Sequence, residues 1–178
     1  LQDALRFIPY CEDHRKVWSP KFTQIILDAA SQVDSVFKAT SQRLNRSNAA
    51  DRVSIVDHFD EFGTLIAKQE VVFFGGDHPS VVIPFRGWES QYCPLQWWID
   101  YNLLKHNRLL NNAVATLENA VNAVAALFVA IIYSGSCDLA LISSLLVDPS
   151  TKNPWAFTNT GLLRDVSFEC QAKVESKL

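Results

Sequence analysis

A chain of 178 residues, 48% hydrophobic and 20% charged, has the size and composition of one folded domain with its own core, which excludes an intrinsically disordered chain. The formal net charge of −3 excludes the broad basic excess of a sequence-blind nucleic-acid binder, so any nucleic-acid contact needs a local patch or an oligomeric groove. The four cysteines, Cys11, Cys93, Cys137 and Cys170, form no C-x-x-C pair, which gives no support to a structural zinc or thioredoxin-type site and predicts free thiols.

In the opening residues Asp3 and Arg6 interrupt the apolar run, so no secretory signal forms and a cytoplasmic location is expected. Without secretion, the sequon Asn45-Arg46-Ser47 is a chance match. The chain contains no methionine, which points to a trimmed product whose true N-terminus is undefined.

Ser19-Pro20 is a strong helix start, a capping hydroxyl followed by proline at the first helical position. Phe22, Ile25, Ile26, Ala29, Val33, Val36 and Phe37 then recur at helical spacing, predicting a long amphipathic helix over about 20–45. The polar run "NRSNAADRVS" breaks it, and a short helix is expected over about 53–62. "TLIAKQEVVFF" is rich in β-branched and aromatic residues, "GGDHPS" has turn composition and "VVIPF" follows. Together they predict a β-hairpin over about 64–85, with Pro84 confining the second strand to an edge.

Pro94 opens a further helix over about 95–110. Val114, Leu117, Val121, Val124, Phe128 and Ile131 mark another over about 113–134, with Gly135 as its C-cap. The apolar run from Ala123 to Tyr133 falls short of the roughly 20 residues a spanning helix needs, so no membrane association is expected. A short helix over about 137–147 and a strand within "VSFECQAKV" complete the reading. The fold class is mainly α, a single-domain helical bundle over 1–178 with an inserted β-hairpin.

No G-x-G-x-x-G, P-loop, H-E-x-x-H or G-x-S-x-G motif occurs, and no metal or cofactor is called for. "DHFDEF" puts His58 and Glu61 on one helix face, but two ligands do not make a metal site, and a solvated face is the expectation. His14 is read the same way. Gly75-Gly76-Asp77-His78 is read as the hairpin turn rather than a phosphate loop.

The remaining concentration of chemistry is "PLQWWIDYNLLKHNR", Pro94 to Arg108. On a helix, Leu95, Trp98, Asn102, His106 and Leu109 form one stripe, and Trp97, Tyr101, Leu104 or Lys105, and Arg108 form the neighbouring one. Asn102 and His106 stand one turn apart between apolar residues. Burial without partners would cost each about 1–3 kcal/mol, so they are expected to be bonded or to face a cleft.

"WWIDYNLLKHNR" resembles a block of uncharacterised bacterial proteins with a tryptophan pair followed by Y-N-x-x-K-H, and that block is similar to a divergent form of the HEPN superfamily of small helical bundles. The family signature is R-N-x-x-x-H. Tyr101-Asn102-Leu103-Leu104-Lys105-His106 keeps the asparagine, the histidine and the spacing, with tyrosine in place of arginine. Active members are metal-independent ribonucleases of toxin and phage-defence systems that pair as symmetric dimers. In them histidine serves in acid–base chemistry while arginine stabilises phosphate charge, in keeping with a group that titrates near neutrality beside a bidentate guanidinium.

The resemblance therefore implies a homodimer with RNA, nucleotide or a protein as partner. The candidate catalytic residues are His106, Asn102 and Arg108, and the candidate binding residues are Tyr101, Lys105, Arg86 and Trp98. Tyr101 supplies no positive charge. Unless Lys105, Arg108 or Arg86 of "PFRGW" takes that role, phosphate stabilisation is lost and the module is catalytically degenerate. A ribonuclease with a rewired cation, and a scaffold or metabolite-binding bundle, stay open as alternatives.

Overall fold

The longest helix begins where the sequence places it. A computed structural model describes residues 1–44, 54–73, 80–134 and the strand at 157–158. In it a single turn, Gln2–Leu5 (α1), precedes the long helix Pro20–Arg43 (α2). Ser19 is the N-cap, accepting from the Lys21 amide at 3.2 Å, and Pro20 stands in the first turn. Phe22, Ile26, Ala29, Ala30, Val33 and Phe37 form its buried stripe.

Helix α5 (Leu117–Tyr133) makes the most extensive interface with α2. It starts at Leu117 rather than 113, because Thr116 caps it, accepting from the Asn119 amide at 3.2 Å, while Asn112–Val114 form a 3-10 turn. The Leu117 amide donates to Val17 O at 2.8 Å and the Ser19 amide to Ala115 O at 3.2 Å, which ties the start of α5 to the start of α2. At the far end Arg43 donates to the carbonyl of Ser134. The two central helices therefore lie side by side and point the same way. No helix among the described residues is long and apolar enough to cross a membrane.

Parallel neighbours need a crossover, and residues between them supply it: helix α3 (Ile55–Ile66), strands β1 (Val71–Phe73) and β2 (Ser80–Val82), and helix α4 (Gln96–Asn107). Helix α3 opens with a capping box in which Ser54 and Asp57 exchange bonds. It continues past residue 62 through Ile66, so Thr64–Ile66 is helical and not the beginning of a strand. His58, Phe62 and Ile66, one turn apart, are all buried, and that periodicity outweighs the strand propensity of the last turn.

The hairpin is present and shorter than expected, with Val71 opposite Val82 and Phe73 opposite Ser80. A third strand, β3 (Phe157–Thr158), pairs antiparallel on the other side of β1, giving the order β2-β1-β3. The hairpin turn at 75–78, Gly135 and the readings at 137–147 and 166–174 lie outside the described residues. Phe37 stacks on Phe62 at 4.8 Å, and Phe85 packs on Trp88 at 5.2 Å and Trp97 at 5.9 Å. These rings join α2, α3, the turn after β2 and α4 in one aromatic core.

Candidate functional site

Helix α4 carries the residues singled out from the sequence, rotated from the expected setting. Its inner face is Trp97, Asp100, Tyr101 and Leu104. The indole of Trp97 donates to the Pro84 carbonyl at 2.7 Å, anchoring this face against the turn after β2. Trp98 and Asn102 are consequently half-buried and His106 is exposed. Leu109, 86% exposed, does not extend the stripe, because the helix has ended at Asn107.

Asn102 and His106 do not bond each other. The Asn102 amide donates to Trp98 O at 3.0 Å, one turn back along the same helix. Tyr101, in the arginine position of the resembling motif, is buried with its ring on Trp98 at 5.1 Å. Lys105 Nζ stands 5.5 Å from the Tyr101 ring centre, a cation–π arrangement.

The candidate cations do not converge on His106 within one chain. Lys105 and Arg108 stand one and two positions away along the chain, and such neighbours do not share a helix face. Arg86 belongs to the other end of α4, where it lines a cleft with Pro94, Leu95, Gln96 and Trp97. From Gln96 to His106 the helix advances about 15 Å. The structure therefore gathers Lys105, His106 and Arg108 at one end of α4 and leaves Arg86 apart.

That end is basic and apolar together. Ile99, Leu103 and His106 form a solvent-facing stripe, and Leu109 and Leu110 follow it in the closing turn. From Tyr101 to Leu117 the sequence has no acidic residue. No salt bridge among the described residues engages Lys105, His106 or Arg108.

Two buried polar clusters escaped sequence reasoning. Asp100, 5% exposed, accepts from Gln96 Nε2 at 3.1 Å and from Asn119 Nδ2 at 2.6 Å, and Asn119 also donates to Val114 O at 2.8 Å. The second lies between α2 and α3, where His58 and Glu61 share a face as their spacing requires. That face is turned inward, not solvated. His58 is sealed and bonded to Asp34, and Glu61 is bonded to Ser41. The continuation of His58 into Phe62 and Ile66 was the signal in the sequence that this face is buried. His14, half-buried, is bonded through Nδ1 to Pro9 O at 2.9 Å. No group of potential metal ligands occurs among the described residues. Comparison with protein-family models, with curated proteins and with solved structures finds no match.

Proposed function

We propose that this chain is a HEPN-like helical module that pairs with a second copy through the outer face of α4 and binds RNA in the basic groove so formed, without cleaving it. The observation that carries the reading is the stripe of Ile99, Leu103 and His106 leading to Leu109 and Leu110, an apolar surface with Lys105 and Arg108 at its border. Exposed leucines at 86% and 80% in a closing turn are costly in water and favour a protein contact. A two-fold contact there would set two copies of Lys105, His106 and Arg108 together, the local concentration of positive charge that a chain of net charge −3 otherwise lacks.

The non-cleaving reading follows from Tyr101. Its buried ring supplies no guanidinium, and Lys105 and Arg108 lie off the His106 face, so one chain offers no clamp for developing phosphate charge.

The test measures oligomeric state and RNA retention together. Wild type is expected to sediment as a dimer and retard single-stranded RNA with a steep salt dependence. Leu103→Glu with Leu110→Glu should give a folded monomer, and Lys105→Ala with Arg108→Ala a dimer that releases RNA. A wild-type monomer at every accessible concentration, or a dimer that ignores RNA, overturns the proposal. RNA products with 2′,3′-cyclic phosphate ends, lost in His106→Ala, would replace it with the ribonuclease reading.

A further inference from the structure

The opposite end of α4 holds a cleft of about 280 Å³ between the turn at 83–86, the first turn of α4 and the first turns of α5. Its apolar floor includes Pro84, Leu95 and Trp97, and the bond from the Trp97 indole to Pro84 O fixes that floor in shape. The volume is near the lower end of the range for small-molecule sites.

The α5 wall carries acceptors. Asn119 and Asn122 both line the cleft, and the orientation of each amide is dictated by its neighbours. Asn119 Nδ2 faces the Asp100 carboxylate and the Val114 carbonyl, and Asn122 Nδ2 faces the Glu118 carbonyl at 2.9 Å. All three partners only accept, so the nitrogens are engaged in the protein and the Oδ1 atoms are left over. Asn119 is 9% exposed, and no hydrogen bond among the described residues reaches its Oδ1. That oxygen is also not among the sealed unpartnered atoms, so it is accessible, and Asn119 lines the cleft. Glu118 lines the same wall, and its carboxylate has one oxygen 3.7 Å from Arg15 Nη1. Behind the wall, the buried Asp100 carboxyl group is bonded to the amides of Gln96 and Asn119.

The facing wall carries donors and positive charge. Arg86 lines it and forms no salt bridge among the described residues. Leu95, the N-cap of α4, offers no side-chain cap, and no described group accepts from the amides of Gln96 and Trp97, two residues that also line the cleft.

We infer that this cleft binds a small zwitterion of the α-amino-acid class, its carboxylate on Arg86 and the first-turn amides of α4, its ammonium on Glu118, Asn119 and Asn122. A neutral ligand would leave the charge of Arg86 unanswered, and an anion alone would meet Glu118 and the amide oxygens of the α5 wall. The site is separate from the His106 end of α4 and goes beyond the RNA-binding reading.

The test is calorimetric titration of the full chain with each free α-amino acid, then with the amide and the desamino analogue of the best binder. One amino acid is expected to bind, and both analogues to fail. Arg86→Ala is exposed and leaves the core intact. It should weaken binding roughly tenfold or more, as loss of a charge-assisted hydrogen bond does. Asn122→Leu should weaken it separately. The Leu103→Glu, Leu110→Glu variant should bind as the wild type does, which keeps this result independent of dimerisation and RNA. No binding by any amino acid, binding by the desamino analogue at full strength, or indifference to both Arg86→Ala and Asn122→Leu would each overturn the inference.

Discussion

His58 Nε2 lies 2.9 Å from Asp34 Oδ1 across the seam between α3 and α2, and Lys38 Nζ holds the other oxygen of the same carboxylate at 2.6 Å. The carboxylate only accepts, so both nitrogens donate to it. Burial alone pushes the Asp34 carboxyl up; the bonds and charge of His58 and Lys38 outweigh burial and hold it below its ordinary value of 3.8. A carboxyl depressed in the folded state stabilises the fold fully above its unfolded value, and that contribution is lost as pH falls through the folded one. Asp34→Asn is therefore expected to lower stability at neutral pH by about 1–3 kcal/mol, because the amide keeps one accepting oxygen where the carboxylate offers two, and no longer carries the charge to which His58 and Lys38 donate. It should also flatten the decline of stability below about pH 4. Urea unfolding of both proteins across that range measures this, and an unchanged acid slope in Asp34→Asn would contradict it.

Asp100 and Asn119 make the counterpart contact at the base of the cleft. Removing the donor with Asn119→Ala should cost about 1–3 kcal/mol, since the buried carboxylate then keeps one amide partner. Asn119→Asp places a second carboxylate against the first. Its deficit relative to wild type should exceed that of Asn119→Ala, because two carboxylates in contact repel. A deficit no larger than that of Asn119→Ala would show that the two side chains do not face each other in solution.

Gly87 has φ +102°, a region that side-chain-bearing residues seldom adopt, and an added Cβ would stand 3.2 Å from Cys93 Cβ. Gly87→Ala should destabilise by about 1–2 kcal/mol, read as a lower urea midpoint at constant slope. Adding Cys93→Gly removes the close approach but not the backbone strain. No rescue is expected from it, and full rescue would assign the cost to crowding instead.

The Thr116 side chain caps the N-terminus of α5. Thr116→Ala should lose about 1 kcal/mol, while Thr116→Ser keeps the oxygen and most of the stability. Equal losses in the two would mean that the Thr116 methyl group, not the cap, matters.

The sequence made the helices legible wherever a cap and a stripe agree. Ser19, Pro20 and the run from Phe22 to Phe37 placed α2 to within a turn. Where two signals competed, the local one misled: Thr64 to Ile66 are strand formers by type, yet they complete the stripe of His58 and Phe62. The start of α5 was misplaced because the tertiary bonds to Val17 and Arg15 that fix it are invisible in a local window. The segment 94–108 was recognisable as a helix with chemistry on it, but its rotation was not. Either tryptophan of the pair could have faced inward, and the choice fell to a carbonyl at Pro84, distant in sequence. Asp100 carries no local signal of its role for the same reason, since its partner Asn119 lies on another helix.

The parallel seating of α2 and α5 has a consequence for biosynthesis. Roughly one hundred residues of chain separate Trp18 from Thr116, the two positions bridged where these helices begin, so the largest interface is among the least local in the fold. As the chain leaves the ribosome, α2 emerges first, and its stripe of Phe22, Ile26 and Val33 lacks the helix with which α2 makes its most extensive interface until α5 is made. A nascent chain halted before Leu117 should therefore recruit chaperones through α2, and release them once Tyr133 has cleared the exit tunnel.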